Sequence, residues 1–210
     1  MIEPRTIDAI IFDKDGTLFE ETDALIREYQ SAAIMGILDM VPGLSFEEAM
    51  ATQRKSYQRF GWSFELLRQR YNLDFAAVHA AMHRHMSTHN VKPNPCLPAM
   101  LGFARATGLT LGVATHCGEP FATSNLDHLG ITGDIIDRKY VTTLTDPKDD
   151  KAKSCNMVRH TAFRMGSDPS RTLFVENTAR NLPPAKQAGF QTALITWGRD
   201  FSASEGFEAA

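Results

Sequence analysis

Ile7-Asp8-Ala9-Ile10-Ile11-Phe12-Asp13-Lys14-Asp15-Gly16-Thr17-Leu18 is the stretch on which the fold turns. An apolar run stops at two carboxylates one residue apart, and Gly16 lets the chain turn directly after them. At an effective dielectric near 20, two like charges ~4 Å apart repel by about 4 kcal/mol. A buried strand end carrying both acids therefore points to a cation, or to a reaction that uses them. A purely structural pair would be spaced out or matched with Arg.

Further β-rich runs lie at Leu109–Thr115, Thr172–Glu176 and Thr192–Ile195, with a weaker one over Asp134–Asp137 or Tyr140–Thr143. Helical patterns separate them: Pro98–Thr107, Phe121–Leu129, Ser154–Met165 and Asn181–Ala188. Each is followed by Gly (Gly108, Gly130, Gly166, Gly189), the usual signal of a helix C-terminus. Strands alternating with helices predict an α/β fold, a parallel sheet with helices on both faces. Such sheets bind ligands at the carboxyl ends of their strands. Asp13, Thr115 and Glu176 all fall there, so three strand ends are expected to converge on one edge.

Strand signals vanish from about Phe19 to Asn90. Glu21–Leu38 reads as a helix. Ser45-Phe46-Glu47-Glu48 is a capping box that opens a second, running to about Phe60. Ser63–Tyr71 and Asp74–His89 read as two more. Val91-Lys92-Pro93-Asn94-Pro95 is a stiff return to the sheet. The expected organisation is a core of residues 1–18 and 91–210 with a helical insertion, 19–90. The tail from Ser202 is small and polar and reads as frayed.

The chain has 210 residues, 43% of them apolar, enough for a real core. Its net charge is −3 and it carries no Lys/Arg block, which argues against a nucleic-acid duplex or an anionic membrane as partner. The apolar run near the N-terminus, about six residues, is too short for a signal or membrane helix. Cys96, Cys117 and Cys155 form neither a zinc pattern nor a disulfide framework, and read as small structural residues of a reduced, cytoplasmic protein. A monomer or homodimer is expected. His79/His83 and His85/His89 each have i,i+4 spacing, but no nearby carboxylate or cysteine completes a metal site, so a polar, partly exposed helix face is the better reading.

Four blocks, in order, resemble the haloacid dehalogenase-like hydrolase superfamily over nearly the whole chain. They are Asp13–Leu18; Leu111-Gly112-Val113-Ala114-Thr115; a lysine before Ser154–Met165; and Leu173-Phe174-Val175-Glu176-Asn177 with Ala179-Arg180-Asn181-Leu182 and Ala185–Gly189. The resemblance implies a Rossmann-like three-layer core with a parallel sheet and an inserted helical C1-type cap that covers the site. Lys55–Gly61, Asn72-Leu73-Asp74 and Arg180-Asn181-Leu182 are similar to the pyrimidine 5′-nucleotidase branch.

That resemblance implies a Mg²⁺-dependent phosphomonoester hydrolase. Asp13 would be nucleophile and metal ligand, forming a phospho-aspartate that splits one hard step into two. Asp15 would give its backbone carbonyl to the metal, and its side chain would serve as acid and then base. The dehalogenating relatives lack this second Asp, so its presence favours phosphoryl chemistry. Thr115, with His116 where relatives often carry Asn, would hold the phosphate, joined by Gly16 and Thr17. Lys148, Lys151 and Lys153 all lie in one polar segment; helix length back from Gly166 favours Lys153, then Lys151, as the charge on the phosphoryl group. Glu176 and Asn177 would complete the metal set, with one charge fewer than an Asp-Asp pair. Phe19, Glu20 and Glu21 are expected at the opening. Arg54, Tyr57 and Arg59 are candidate substrate contacts by location, although Tyr57 and Phe60 also fit a cap core. A nucleoside 5′-monophosphate is the first substrate expectation and a small phosphorylated metabolite such as phosphoglycolate the second. A phosphomutase and a non-catalytic binding homologue are the alternatives.

Overall fold

The computed structural model describes residues 6–60 and 63–198. Gly61 and the tail from Ser202 lie outside the described residues. The chain divides after Glu20 and after Val91 into two compact units.

The first unit is built on a five-stranded sheet. Its strands are β1 (Ala9–Phe12), β2 (Thr110–Thr115), β3 (Val141–Thr143), β4 (Thr172–Glu176) and β5 (Gln191–Leu194). They lie in the order β3-β2-β1-β4-β5, and every pairing is parallel. Ile11 and Phe174, opposite each other on β1 and β4, are fully buried. Each such side chain contributes roughly 1.5–3 kcal/mol through its removal from water. The helices of this unit are α5 (Leu97–Ala106), α6 (Glu119–His128), α7 (Asn156–Met165) and α8 (Leu182–Gln187). The chain steps one way from β1 to β3, then crosses back to β4 and β5. Right-handed crossovers therefore put α5 and α6 on one face and α7 and α8 on the other, a three-layer Rossmann-like α/β fold. All four predicted stop glycines have positive φ. The ambiguous strand resolves to Val141–Thr143; Asp134–Asp137 forms turns and lies outside the sheet.

The second unit holds α1 (Asp23–Met40), α2 (Phe46–Phe60), α3 (Glu65–Tyr71) and α4 (Phe75–His83). Ala33, Ile34, Ile37, Ala49, Phe64, Leu67 and Val78 form its core. Gly36 lets α1 meet α4 closely, since a Cβ there would stand 2.8 Å from the Met82 backbone nitrogen. The capping box is present: the Glu48 N–H donates to Ser45 Oγ (3.2 Å), and the Ser45 N–H donates to Glu48 Oε2 (3.0 Å). The last helix is shorter than expected, ending at His83 rather than His89. Ser87 and Asn90 give their donors to Glu28 instead, at 2.6–2.9 Å, and such polar side chains compete with helix continuation.

Two readings of this unit are corrected. Tyr57 is 54% exposed and is no core residue. His79 is buried, stacked on the Phe75 ring at 5.3 Å with His83 edge-on at 4.4 Å, so it is not part of a solvated face. His85 and His89 are exposed, as are Arg54 and Arg59.

Candidate active site

Parallel strands carry all their carboxyl ends to one edge, and the site is built there. Asp13 leaves β1, and its N–H donates to the Val175 carbonyl of β4 at 2.8 Å. Thr115 ends β2 and Glu176 ends β4. Asp13, Thr115 and Glu176 are all buried.

What joins the strand ends is Lys151. Its ammonium donates to Asp13 Oδ1, to Glu176 Oε2 (2.8 Å) and to the Ala114 carbonyl (3.2 Å). Three N–H donors thus meet three acceptors, which is the full capacity of a lysine. Burial opposes its charge, but Asp13 and Glu176 outweigh it and hold the Lys151 pKa above the ordinary value. Burial and then the Glu176 charge push Asp13 up to about 8, with Lys151 pulling the other way.

The lysine chosen by helix length is therefore replaced by its neighbour. Lys153 is exposed and pairs with Asp150 Oδ2 at 3.2 Å, away from Asp13. The helix begins at Asn156, later than expected, and residues 151–153 form turns, so counting back along a helix misplaces the side chain. Lys148 is exposed as well. His116 faces this segment: its Nε2 accepts the Lys151 N–H at 3.1 Å.

Asp15 sits on the other side of the same turn. Its Oδ1 accepts from Lys14 Nζ at 2.9 Å, and its Oδ2 accepts from Cys117 Sγ at 3.1 Å. Lys14 is fully buried, with its ammonium 5.6 Å from the Phe19 ring centre and 4.9 Å from that of Phe121. Burial works against this charge too, but Asp15 outweighs it and the Lys14 pKa is raised. Phe19, expected at the opening, is instead buried beside this ammonium. Cys117 is a contact of the site rather than a bland filler. Its N–H donates to Thr115 Oγ1 at 3.1 Å, and burial, then Asp15, raise its thiol pKa.

The turn itself is tightly packed. Gly16 has φ +74°, and a Cβ there would stand 2.0 Å from Asn177 Nδ2. Trp197, just beyond β5, donates its indole N–H to the Gly16 carbonyl at 2.5 Å. Thr17 Oγ1 lies 3.5 Å from Asp13 Oδ2. Glu176 Oε1 accepts from the Thr178 N–H at 3.0 Å. The structure thus gathers Asp13, Asp15, Gly16, Thr17, Thr115, His116, Glu176 and Asn177, and leaves out Lys153. Sequence reasoning passed over Lys14, although it stands between the two acids, and Cys117, two residues after Thr115. No pattern marked Trp197.

The donor set suits a hard cation. Asp13, Glu176, the Asn177 amide and the Asp15 carbonyl offer oxygen only. When all three carboxylates (Asp13, Asp15, Glu176) are ionised they outnumber the two ammoniums (Lys14, Lys151) by one charge, which a cation would offset. Among the described residues no three His, Cys, Asp or Glu side chains form a ready cage.

Residues 7–189 match the family described as haloacid dehalogenase-like hydrolase. The chain is 23% identical over 192 residues to a phosphoglycolate phosphatase of Aquifex aeolicus, covering 90% of this chain and 84% of that protein. It is 26% identical over 197 residues to an N-acetylmuramic acid 6-phosphate phosphatase of Pseudomonas aeruginosa, covering 90% and 82%. In fold it is similar to a HAD phosphatase from Thermococcus onnurineus, with TM-score 0.63, 20% identity, and coverage of 93% of this chain and 89% of that one.

Proposed function

Because the chain belongs to the haloacid dehalogenase-like hydrolases, we propose that it is a Mg²⁺-dependent phosphatase of small phosphorylated metabolites. The observation that carries this reading is Asp13, a buried carboxylate bridged by Lys151 to Glu176, with Asp15 two residues on. Asp13 Oδ attacks phosphorus, the bond to the leaving oxygen breaks, and that oxygen takes a proton from Asp15. Water then attacks the phospho-aspartate, returns a proton to Asp15, and releases phosphate and Asp13. Lys151 holds the nucleophile in place and neutralises charge gathering beside it. Thr115, His116, Gly16 and Thr17 are the proposed phosphate-side contacts. Asp13, Glu176, Asn177 and the Asp15 carbonyl would hold Mg²⁺, which when bound supplies positive charge to the phosphoryl oxygens.

Phosphoglycolate and N-acetylmuramic acid 6-phosphate, for which the two relatives are named, are the proposed first substrates to try, with nucleoside 5′-monophosphates after them. The second unit is proposed as the cap. The three cysteines form no disulfide with one another, which suits the cytoplasmic setting proposed with this function.

The test is phosphate release from a panel of phosphomonoesters, with Mg²⁺ and with EDTA. Asp13→Asn is expected to lower metal-dependent turnover at least about 10⁴-fold, as loss of a nucleophile does. Absence of turnover across the panel would overturn the phosphatase reading and favour the binding homologue. Movement of phosphate within one molecule, without release, would favour the phosphomutase.

A further inference from the structure

The contacts around Asp15 are more specific than the chemistry above requires. Both carboxylate oxygens are held, one by an ammonium and one by a thiol, at 2.9 and 3.1 Å. Neither donor is a surface group. Lys14 is 0% exposed and Cys117 7%. The ammonium cannot swing away freely, because the Phe19 and Phe121 rings flank it. The thiol is fixed from behind: the Cys117 N–H is tied to Thr115 Oγ1, at the end of β2. Lys14 reaches Asp15 from the same turn, whereas Cys117 reaches it from the bend that follows β2, so the two donors anchor the side chain to two different parts of the sheet edge.

We propose that Lys14 and Cys117 are positioning residues that clamp the Asp15 carboxyl group in its proton-transfer geometry, and that this clamp suits the site to alkyl phosphate esters. The proposal rests on the phosphatase reading only for its catalytic consequence. An alkoxide is a poor leaving group and needs the Asp15 proton as the bond to phosphorus breaks. A p-nitrophenolate leaves without it. A misplaced Asp15 therefore slows the first chemical step for alkyl esters and spares it for aryl esters. A carboxylate oxygen accepts at two positions, so the thiol can hold one lone pair of Oδ2 while the other carries the proton. The clamp can then persist through the proton cycle, in which Asp15 gives one proton to the leaving oxygen and receives one from water.

The experiment compares kcat/KM for phosphoglycolate and for p-nitrophenyl phosphate in the wild type, Cys117→Ala, Cys117→Ser and Lys14→Met. This parameter covers steps only up to the first irreversible one. Cys117→Ala is expected to lower the alkyl-to-aryl ratio about tenfold, and Lys14→Met by at least as much. Cys117→Ser, which keeps a hydroxyl donor, is expected to restore most of the ratio. Equal losses on both esters, or no difference between the Ala and Ser variants, would overturn the clamp. Since removal of a buried lysine can prevent folding, crystal structures of the two Cys117 variants give an independent reading. An Asp15 carboxylate that moves in Cys117→Ala and returns in Cys117→Ser supports the proposal, and one that stays put in both overturns it. A wild type without turnover on any ester would sink the phosphatase reading, while the crystal structures would still decide the clamp.

Discussion

The turn after the first strand has two sides, and they are held in different ways. Asp13 is fixed by Lys151 and shares that ammonium with Glu176, so its surroundings are assembled from three distant parts of the chain. Asp15 takes one partner from the adjacent residue, Lys14, and one from Cys117. Each side buries a lysine, and each lysine is matched to carboxylate. The difference lies in what fails when a partner is removed. On the Asp13 side two buried carboxylates would be left facing each other. On the Asp15 side one carboxylate would lose one of its contacts.

The largest effect is therefore expected from Lys151→Met. It should lower unfolding free energy by about 3–5 kcal/mol, the usual consequence of leaving buried charge uncompensated, as read by denaturant melts in EDTA. Turnover should fall about 10³-fold, as when a preorganised electrostatic partner is lost. Lys153→Met sharpens the contrast: Lys153 is exposed, and its partner Asp150 keeps the Ala152 N–H at 3.0 Å, so stability should change by less than about 1 kcal/mol. Equal effects from the two lysines would break the comparison.

A smaller effect is expected from Gly16→Ala. The added Cβ would meet the Asn177 side chain at 2.0 Å in a backbone with φ +74°. A cost of about 1–3 kcal/mol follows from the strained conformation alone. Because Gly16 joins the turn to Asn177 and to Trp197, turnover should fall with it. Activity that survives while stability drops would separate the turn from the chemistry.

A more local effect belongs to the second unit. Ser45→Ala removes the capping box of α2 and should cost about 1 kcal/mol, seen as a lower melting temperature. Turnover per folded molecule should not change, since Ser45 and Glu48 are exposed and pair with each other.

Much of the core was legible before any coordinates. The alternation of strands and helices, the stop glycines and the Asp-x-Asp turn come from local physics: periodicity, positive-φ glycine and the cost of adjacent like charges. Thr172–Glu176 was bounded as observed, and the other strands differ only at their ends. The capping box of α2 was equally readable, because its two partners are three residues apart.

The choice among Lys148, Lys151 and Lys153 was not legible. It depends on which side chain the 146–155 segment turns inward, and that is set by contacts such as the His116–Lys151 bond at 3.1 Å, across 35 positions of sequence. The thiol on Asp15 was hidden for the same reason, since Cys117 and Asp15 are 102 residues apart. Short-range pattern carries the fold class and the edge of the sheet where the acids gather. Long-range packing selects the lysine that neutralises Asp13, the thiol and ammonium that hold Asp15, and the glycine that makes room for Asn177. Those are contacts between residues far apart in the chain, and their reality depends on how closely the strands and turns pack.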